Sequence, residues 1–152
     1  MKICSICAKN DILCGACGKK VESGEITNND VKISRCLFGI DDSLAYLKSF
    51  EAGGRIYIMV EEPAMGKIIG RAGKNVKKLA GVLGKDVKVL QKEDEKAMLE
   101  KALNTPVNGI NKVYGENEFY RIRFDRKSKR RLKQGFENVV ESIVGKSEIV
   151  FE

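Results

Sequence analysis

Three groups of residues in this chain have types and spacings that can do chemistry. The first is Cys4-Ser5-Ile6-Cys7 followed by Cys14-Gly15-Ala16-Cys17, two Cys-x2-Cys pairs within fourteen residues. Each pair can grip a tetrahedral metal from a tight turn, and Gly15 and Gly18 supply the permissive backbone such turns use. Four thiolates with no other ligand type suit zinc in a closed structural site, and the short spacer predicts a compact knuckle that folds on its metal. An iron–thiolate or iron–sulfur site, a redox dithiol and disulfides would use the same residues; a reducing compartment disfavours the last.

The second group surrounds Gly70-Arg71-Ala72-Gly73. The outer glycines lack a Cβ, so the turn can be tight and a ligand backbone can approach closely. Val76, Leu79 and Val82 or Leu83 recur at helical spacing just beyond it, so the free N–H groups of a helix start favour an anion there. Lys67, Arg71, Lys74, Lys77 and Lys78 crowd the turn, and no acidic residue occurs between Pro63 and Lys85. Gly66, Ile68 and Ile69 lead into it. The chemistry expected is contact with a phosphate backbone. Competing phosphate motifs do not fit: position 68 is Ile, which breaks Gly-x-Gly-x-x-Gly, and Gly73-Lys74 lacks the spaced glycine of a P-loop. The third group is a dense basic run, Arg121, Arg123, Arg126, Lys127, Lys129, Arg130, Arg131 and Lys133. Of these, Arg126, Lys127, Lys129, Arg130, Arg131 and Lys133 form a secondary basic patch at the start of an expected helix over 126–144. Cations there oppose the helix dipole, so a polyanion partner is the better explanation of the run.

Composition narrows the classes. The 152 residues carry 28 Lys and Arg against 21 Asp and Glu, a formal charge of +7 that fits nucleic acid or an anionic surface. With 43% hydrophobic and 32% charged residues the chain should fold into one ordinary domain or several small ones. There is no histidine, which excludes Ser-His-Asp and Cys-His catalysis, HExxH sites and Cys2His2 fingers. No carboxylate sits in an apolar setting that would tune it as a general acid, so an enzyme is not expected. No apolar run approaches a membrane span, and the first residues lack the apolar segment of a signal peptide. A cytoplasmic protein without membrane contact is the expectation.

The elements that must position these groups are legible in outline. Residues 21–26 read as a connector. Thr27 is placed to cap a helix with Asp30 in its first turn, Ile33 or Cys36 and Leu37 inward, and Gly39 as the stop. Cys36, the fifth cysteine, reads as a small buried apolar residue. Strands over 43–51 and 55–61 flank Ala52-Gly53-Gly54, and in the second arm Ile56, Ile58 and Val60 alternate as in a half-buried strand. Pro63 opens a helix, the glycine-bracketed turn and a second helix follow, and 87–90 is a strand. A helix over 93–103, strands over 107–114 and 118–125, the helix over 126–144 ended by Gly145, and a strand over 147–151 complete the chain. The same order therefore occurs twice, with Val82–Leu90 corresponding to Ile143–Phe151. The second copy has Arg131-Leu132-Lys133-Gln134 where the first has its paired glycines.

With Ile68-Ile69 before the turn, Val76 and Leu79 after it and a strand at 87–90, the segment 63–90 resembles the KH motif of RNA- and single-stranded-DNA-binding domains. The resemblance implies a loop that clamps about four backbone nucleotides, with bases against an apolar wall of Ile68, Ile69 and the Val87/Val89 strand. The helix–strand–strand–helix–helix–strand order resembles the type II KH arrangement. Two such units, the second degenerate, behind a Cys4 knuckle are similar to the NusA-like transcription elongation/termination factors of archaea. That resemblance covers essentially the whole chain. It implies an α+β fold with a Cys4 zinc segment over 1–22, a type II KH domain over 23–91 and a KH-like domain lacking the paired glycines over 92–152. It also implies a single-stranded RNA partner beside the structural Zn2+; the rival reading is an interaction module that docks on RNA polymerase or a ribosomal particle, with RNA contact incidental.

Overall fold

The computed structural model describes residues 2–152. The cysteine pairs each sit at the start of a helix: Cys4 precedes α1 (Ser5–Lys9) and Cys14 precedes α2 (Gly15–Glu22), both with extended backbone at the cap. The expected connector at 21–26 is thus partly helical. Neither helix is long enough to be stable alone. They are held by a small cluster in which Ile3, Cys7, Cys17 and Ile26 pack against Val31 and Phe38 of the next helix.

That helix, α3 (Asn28–Ile40), begins with a capping box. Thr27 Oγ1 accepts from the Asp30 N–H, and Asp30 accepts from the Thr27 N–H at 2.9 Å. Ile33, Cys36 and Leu37 face inward as the spacing requires. Gly39 does not end the helix; Ile40 is its last residue and the Asp41 N–H closes on Leu37 O. A helical glycine costs only about 1 kcal/mol, too little to override α3's packing. Asp41 then accepts from the Ser43 N–H and hydroxyl, a local turn that occupies the start of the strand expected over 43–51.

The first sheet has the order β1 (Lys48–Ala52), β2 (Arg55–Val60), β3 (Asp86–Gln91). β1 and β2 are antiparallel, and Ala52 pairs with Arg55 across Gly53-Gly54. Both glycines have positive φ, as a two-residue hairpin turn with the twist of its strands demands. β2 and β3 are parallel, so the chain must cross over, and it does so through α4 (Glu62–Ile69), a 3-10 turn (Arg71–Gly73) and α5 (Lys74–Leu83). Ile56, Ile58, Val60 and Val89 on one face pack against Ile33, Leu37, Ile68 and Leu79.

β2 is not the half-buried strand that its alternation suggests. Tyr57 and Met59, on the second face, are 4% and 6% exposed. For Tyr57 the reason is the second half of the chain, which packs on that face: Ala52, Tyr57 and Leu90 share a cluster with Ala102 and Val139. The Tyr57 hydroxyl donates to Ala102 O at 3.4 Å, and Lys48 Nζ donates to Ser142 O at 3.1 Å.

The second half follows the order in part: a 3-10 turn stands where the first half has α4, so a single α-helix makes the crossover. α6 (Glu95–Leu103), capped by Asp94, leads to β4 (Gly109–Val113) and antiparallel β5 (Phe119–Phe124). α7 (Phe136–Val144) then crosses to β6 (Ser147–Phe151), parallel to β5. Leu99, Ile122, Phe124 and Val140 form its core, with Phe136 and Phe151 packed on Phe124. The expected helix over 126–144 is broken. Arg126–Arg130 is a 3-10 turn capped by Asp125, residues 131–135 are irregular, and only Phe136 onward is α-helical. Gly135, at φ +87°, lies beside Gly53, where a Cβ would stand 3.4 Å from the Gly53 Cα. The break brings the two turns together in a way that a continuous helix could not. The architecture is α+β: among the described residues there are seven α-helices, two three-stranded sheets and an N-terminal cysteine cluster.

Candidate metal centre and candidate nucleic-acid interface

The two helix starts bring Cys4, Cys7, Cys14 and Cys17 together with their Sγ atoms all within 4.8 Å of one another. Cys4 and Cys14 Sγ are 4.0 Å apart, near the ~3.8 Å edge of a tetrahedron built on a ~2.3 Å metal–sulfur bond. It is about twice a disulfide bond length, and all five cysteines are free. Backbone amides stitch the pairs together: the Cys14 N–H donates to Cys7 Sγ at 3.1 Å and the Cys4 N–H to Cys17 Sγ at 3.4 Å. Such bonds stabilise thiolates. The Cys17 N–H, followed by neighbouring thiols, pulls Cys14 down to about 6, and the Cys7 N–H lowers Cys4. On Cys7 the Cys14 N–H lowers the pKa, but burial and three adjacent sulfurs outweigh it and push it up to about 12. Four sulfurs this close cannot all ionise without a cation among them. The donor set therefore fits a metal ion. Arg35 ties the cluster to the body, donating from Nε to Cys7 O at 3.1 Å.

The glycine-bracketed turn is held in a conformation that its residues must supply. Gly70 has φ +76°, ψ 172°, a region open essentially to glycine, and Ala72 and Gly73 are left-handed at φ +54° and +72°. A Cβ on Gly70 would stand 2.7 Å from Asn75 Nδ2, which donates to Lys67 O at 2.8 Å. Asn75 thus staples the end of α4 to the start of α5. The turn's own backbone bonds run from Gly70 N–H to Gly66 O, Gly73 N–H to Gly70 O and Lys74 N–H to Arg71 O. None uses the N–H of Arg71 or Ala72, and both residues are exposed. Two unengaged donors at a helix start, with exposed Lys74, Lys77 and Lys78 beside them, make a place for an anion.

No family model matches the chain, and no curated protein matches it. Its fold does have solved counterparts. The crystal structure of APE1850 is 20% identical over 80% of this chain and 95% of that one, with a TM-score of 0.55. The periplasmic domain of the T3SS inner membrane protein PrgH from S. typhimurium is 16% identical over 89% of this chain and 80% of that one, but its TM-score is 0.34. The first likeness speaks for the fold alone, and the second is too distant to bear on it.

Several expected site residues sit differently from their sequence reading. Lys67 is not a free cation. Asp41, absent from the local stretch, reaches it from the end of α3 at 3.3 Å. The Ser43 hydroxyl and N–H, then Lys67, hold Asp41 at about 2. Ile68 is wholly buried and Val89 is 8% exposed, so both support the turn from beneath and neither offers a wall to bases. Ile69 is half-buried. Gly66 is exposed on α4, where its carbonyl accepts from Gly70. The basic run is divided: Arg126, Lys127, Lys129 and Arg130 are exposed around the 3-10 turn, while Arg131 and Lys133 line a cleft between the two halves. Among the described residues no helix is long and apolar enough to cross a membrane. Asn75 and Asp41 escaped the sequence reading. Asn75 has no motif signal, although an amide at the first turn of a helix after a glycine pair is a fair capping candidate.

Proposed function

We propose that the chain is a single-stranded RNA-binding protein of the archaeal NusA-like type, acting in transcription elongation or termination. On this reading residues 23–91 and 92–152 are tandem type II KH-like units, and only the first carries a working GxxG loop. The observation that carries the proposal is the exposed turn at Gly70–Gly73. Its three positive φ values and free Arg71 and Ala72 N–H groups suit a sugar–phosphate chain, and Arg71, Lys74, Lys77 and Lys78 supply charge with no carboxylate paired to them. Phosphate contacts would set affinity, and apolar contact with half-buried Ile69 would set what little sequence preference there is. Replacing Arg71 and Ala72 with aspartate turns both donors' neighbourhood negative. Gel shift or anisotropy with a short single-stranded RNA should show binding abolished while circular dichroism stays native; unchanged affinity refutes the site.

The cysteine cluster is proposed as a structural Zn2+ site in a protein that is not an enzyme and works in the cytoplasm. Metal analysis and an absorption spectrum test this, since zinc–thiolate is colourless and iron–thiolate is not. One observation favours an accompanying role in docking on RNA polymerase or a ribosomal particle: Ile6 and Ile12, beside the cysteines, are 67% and 83% exposed. A pulldown that survives nuclease treatment supports that role.

A further inference from the structure

Between the two halves lies a cleft of about 510 Å³, on the face of the first sheet that the second half only partly covers. Strand register explains its composition. Arg55 pairs with Asp86 and Tyr57 with Lys88 on adjacent parallel strands, so all four side chains emerge on the face opposite the α3–α5 core. Arg131 and Lys133 approach from across the cleft, on the irregular segment before α7. Four cations from two halves of the chain thus converge on one concavity.

Asp86 is the one carboxylate among the described residues that line the cleft, so the cations outnumber it four to one. Among the described residues the ion pairs involve other groups, and none joins Arg55, Lys88, Arg131 or Lys133 to a carboxylate. Lys88 donates to the Lys101 carbonyl and to no acid. Burial, then Arg55 and Lys133, lower its pKa, so the cations feel one another. Gathering like charges in a partly dry cleft is unfavourable unless an anion joins them. Asp86, at the same site, is in none of the ion pairs among the described residues and can accept from hydroxyl groups. Leu103, Leu132 and Phe136 provide an apolar wall. The volume is in the range of small-ligand sites.

We propose that this cleft binds a ribonucleoside phosphate. The phosphate sits among Arg55, Lys88, Arg131 and Lys133, the sugar hydroxyls donate to Asp86, and the base lies against Phe136 and Leu132. The ligand is either a free mononucleotide or one nucleotide of an RNA chain. The inference goes beyond the proposed RNA contact at Gly70–Gly73 and does not rest on it.

The test is amide NMR of the full chain titrated with AMP and, separately, with a 5′-phosphorylated single-stranded RNA hexamer. The proteins are the wild type, the Arg71→Asp/Ala72→Asp variant and a Lys88→Met/Lys133→Met variant. AMP should shift the Gly54, Arg55, Lys88 and Lys133 amides to saturation in the first two proteins, and bind at least about tenfold more weakly to the third. If only the hexamer moves those amides, and the Lys88→Met/Lys133→Met variant loses that response, the nucleotide belongs to a polymer and the site stands. Arg131→Gln/Lys133→Gln, on the exposed side of the cleft, repeats the test should the Lys88 variant not fold. Amides unmoved by both ligands, or undiminished binding in the variants, overturn the proposal. Shifts confined to the cleft would sink the Gly70–Gly73 reading alone, and shifts confined to that turn would sink this one alone.

Discussion

The salt dependence of RNA binding can be worked from the turn's own geometry. Five cations surround Gly70–Gly73 in the sequence, but Lys67 is held by Asp41 at 3.3 Å. Arg71, Lys74, Lys77 and Lys78 remain. Each phosphate neutralised on a single strand contributes about −0.7 to the slope of log affinity against log salt, so four predict about −2.8. That corresponds to about a fiftyfold loss between about 50 and 200 mM salt. Fluorescence anisotropy with a labelled single-stranded RNA of a few nucleotides, short enough to occupy this turn alone, measures it. Lys74→Met should bring the slope to about −2.1. Removing the ion pair as a unit, Asp41→Asn with Lys67→Met, should leave it near −2.8, because Lys67 and Asp41 cancel in both states. A flat salt response, or a slope that ignores Lys74→Met, refutes the count and with it the turn as the phosphate site.

Two further outcomes test the scaffold. Asp30→Ala should destabilise the fold by about 2 kcal/mol in urea denaturation, since it removes half of the capping box and leaves the buried Tyr46 hydroxyl only the longer bond to the residue-30 carbonyl, at 3.3 Å. Asp30 accepts from Tyr46 at 2.6 Å and Ser49 at 2.7 Å. Burial raises its pKa, but bonds from Tyr46, Ser49 and Thr27 outweigh that and leave it lowered. Its contribution is therefore full above the ordinary carboxyl range and lost as pH falls through its depressed value, so mutant and wild type should converge in acid. Chelation of the metal should release amide protection over Ile3–Ile26 while the two sheets stay folded, read by hydrogen exchange. Acidification from about pH 7 to about pH 5 should weaken metal retention, because protons compete for thiolates; a cluster indifferent to chelator and acid holds no metal.

How much was legible depended on whether the determining contacts are local. The capping box at Thr27 and Asp30, the Gly53-Gly54 hairpin and the convergence of four cysteines follow from residues a few positions apart, and the structure has them all. The repeat of element order was readable in part: Val82–Leu90 and Ile143–Phe151 carry the same pattern of helix end, glycine and strand, but the second half has a 3-10 turn where the first has α4. What escaped was tertiary. β2 alternates like a strand with one wet face, yet Tyr57 is buried because a distant half of the chain lies over it. Asp41 reaches Lys67 across twenty-six positions, so a window free of acids in sequence was not free of them in space. Ile68 has the same composition signal whether it lines a groove or fills a core; only the packing of α4 decides.

The basic run shows how a suspicion of a partner can rest on a wrong cause. Cations at the start of a long helix would oppose its dipole, and that conflict suggested a partner. In the folded protein the conflict is absent, because α7 starts at Phe136 with Glu137 in its first turn, the sign the dipole favours. The run is instead split by what its backbone does. The 3-10 turn is tied down by Asp125, by the Arg126 N–H on Glu152 O and by Lys129 over the Phe151 ring at 5.7 Å, so its exposed charges stand on a fixed support. Arg131 and Lys133 fall just beyond it, where the chain bends toward Gly53 and meets Arg55 and Lys88 from the other half. Helix electrostatics explains neither arrangement. For Arg131 and Lys133 the argument for an anion now comes from cations of both halves that line one cleft, and no longer from a helix dipole.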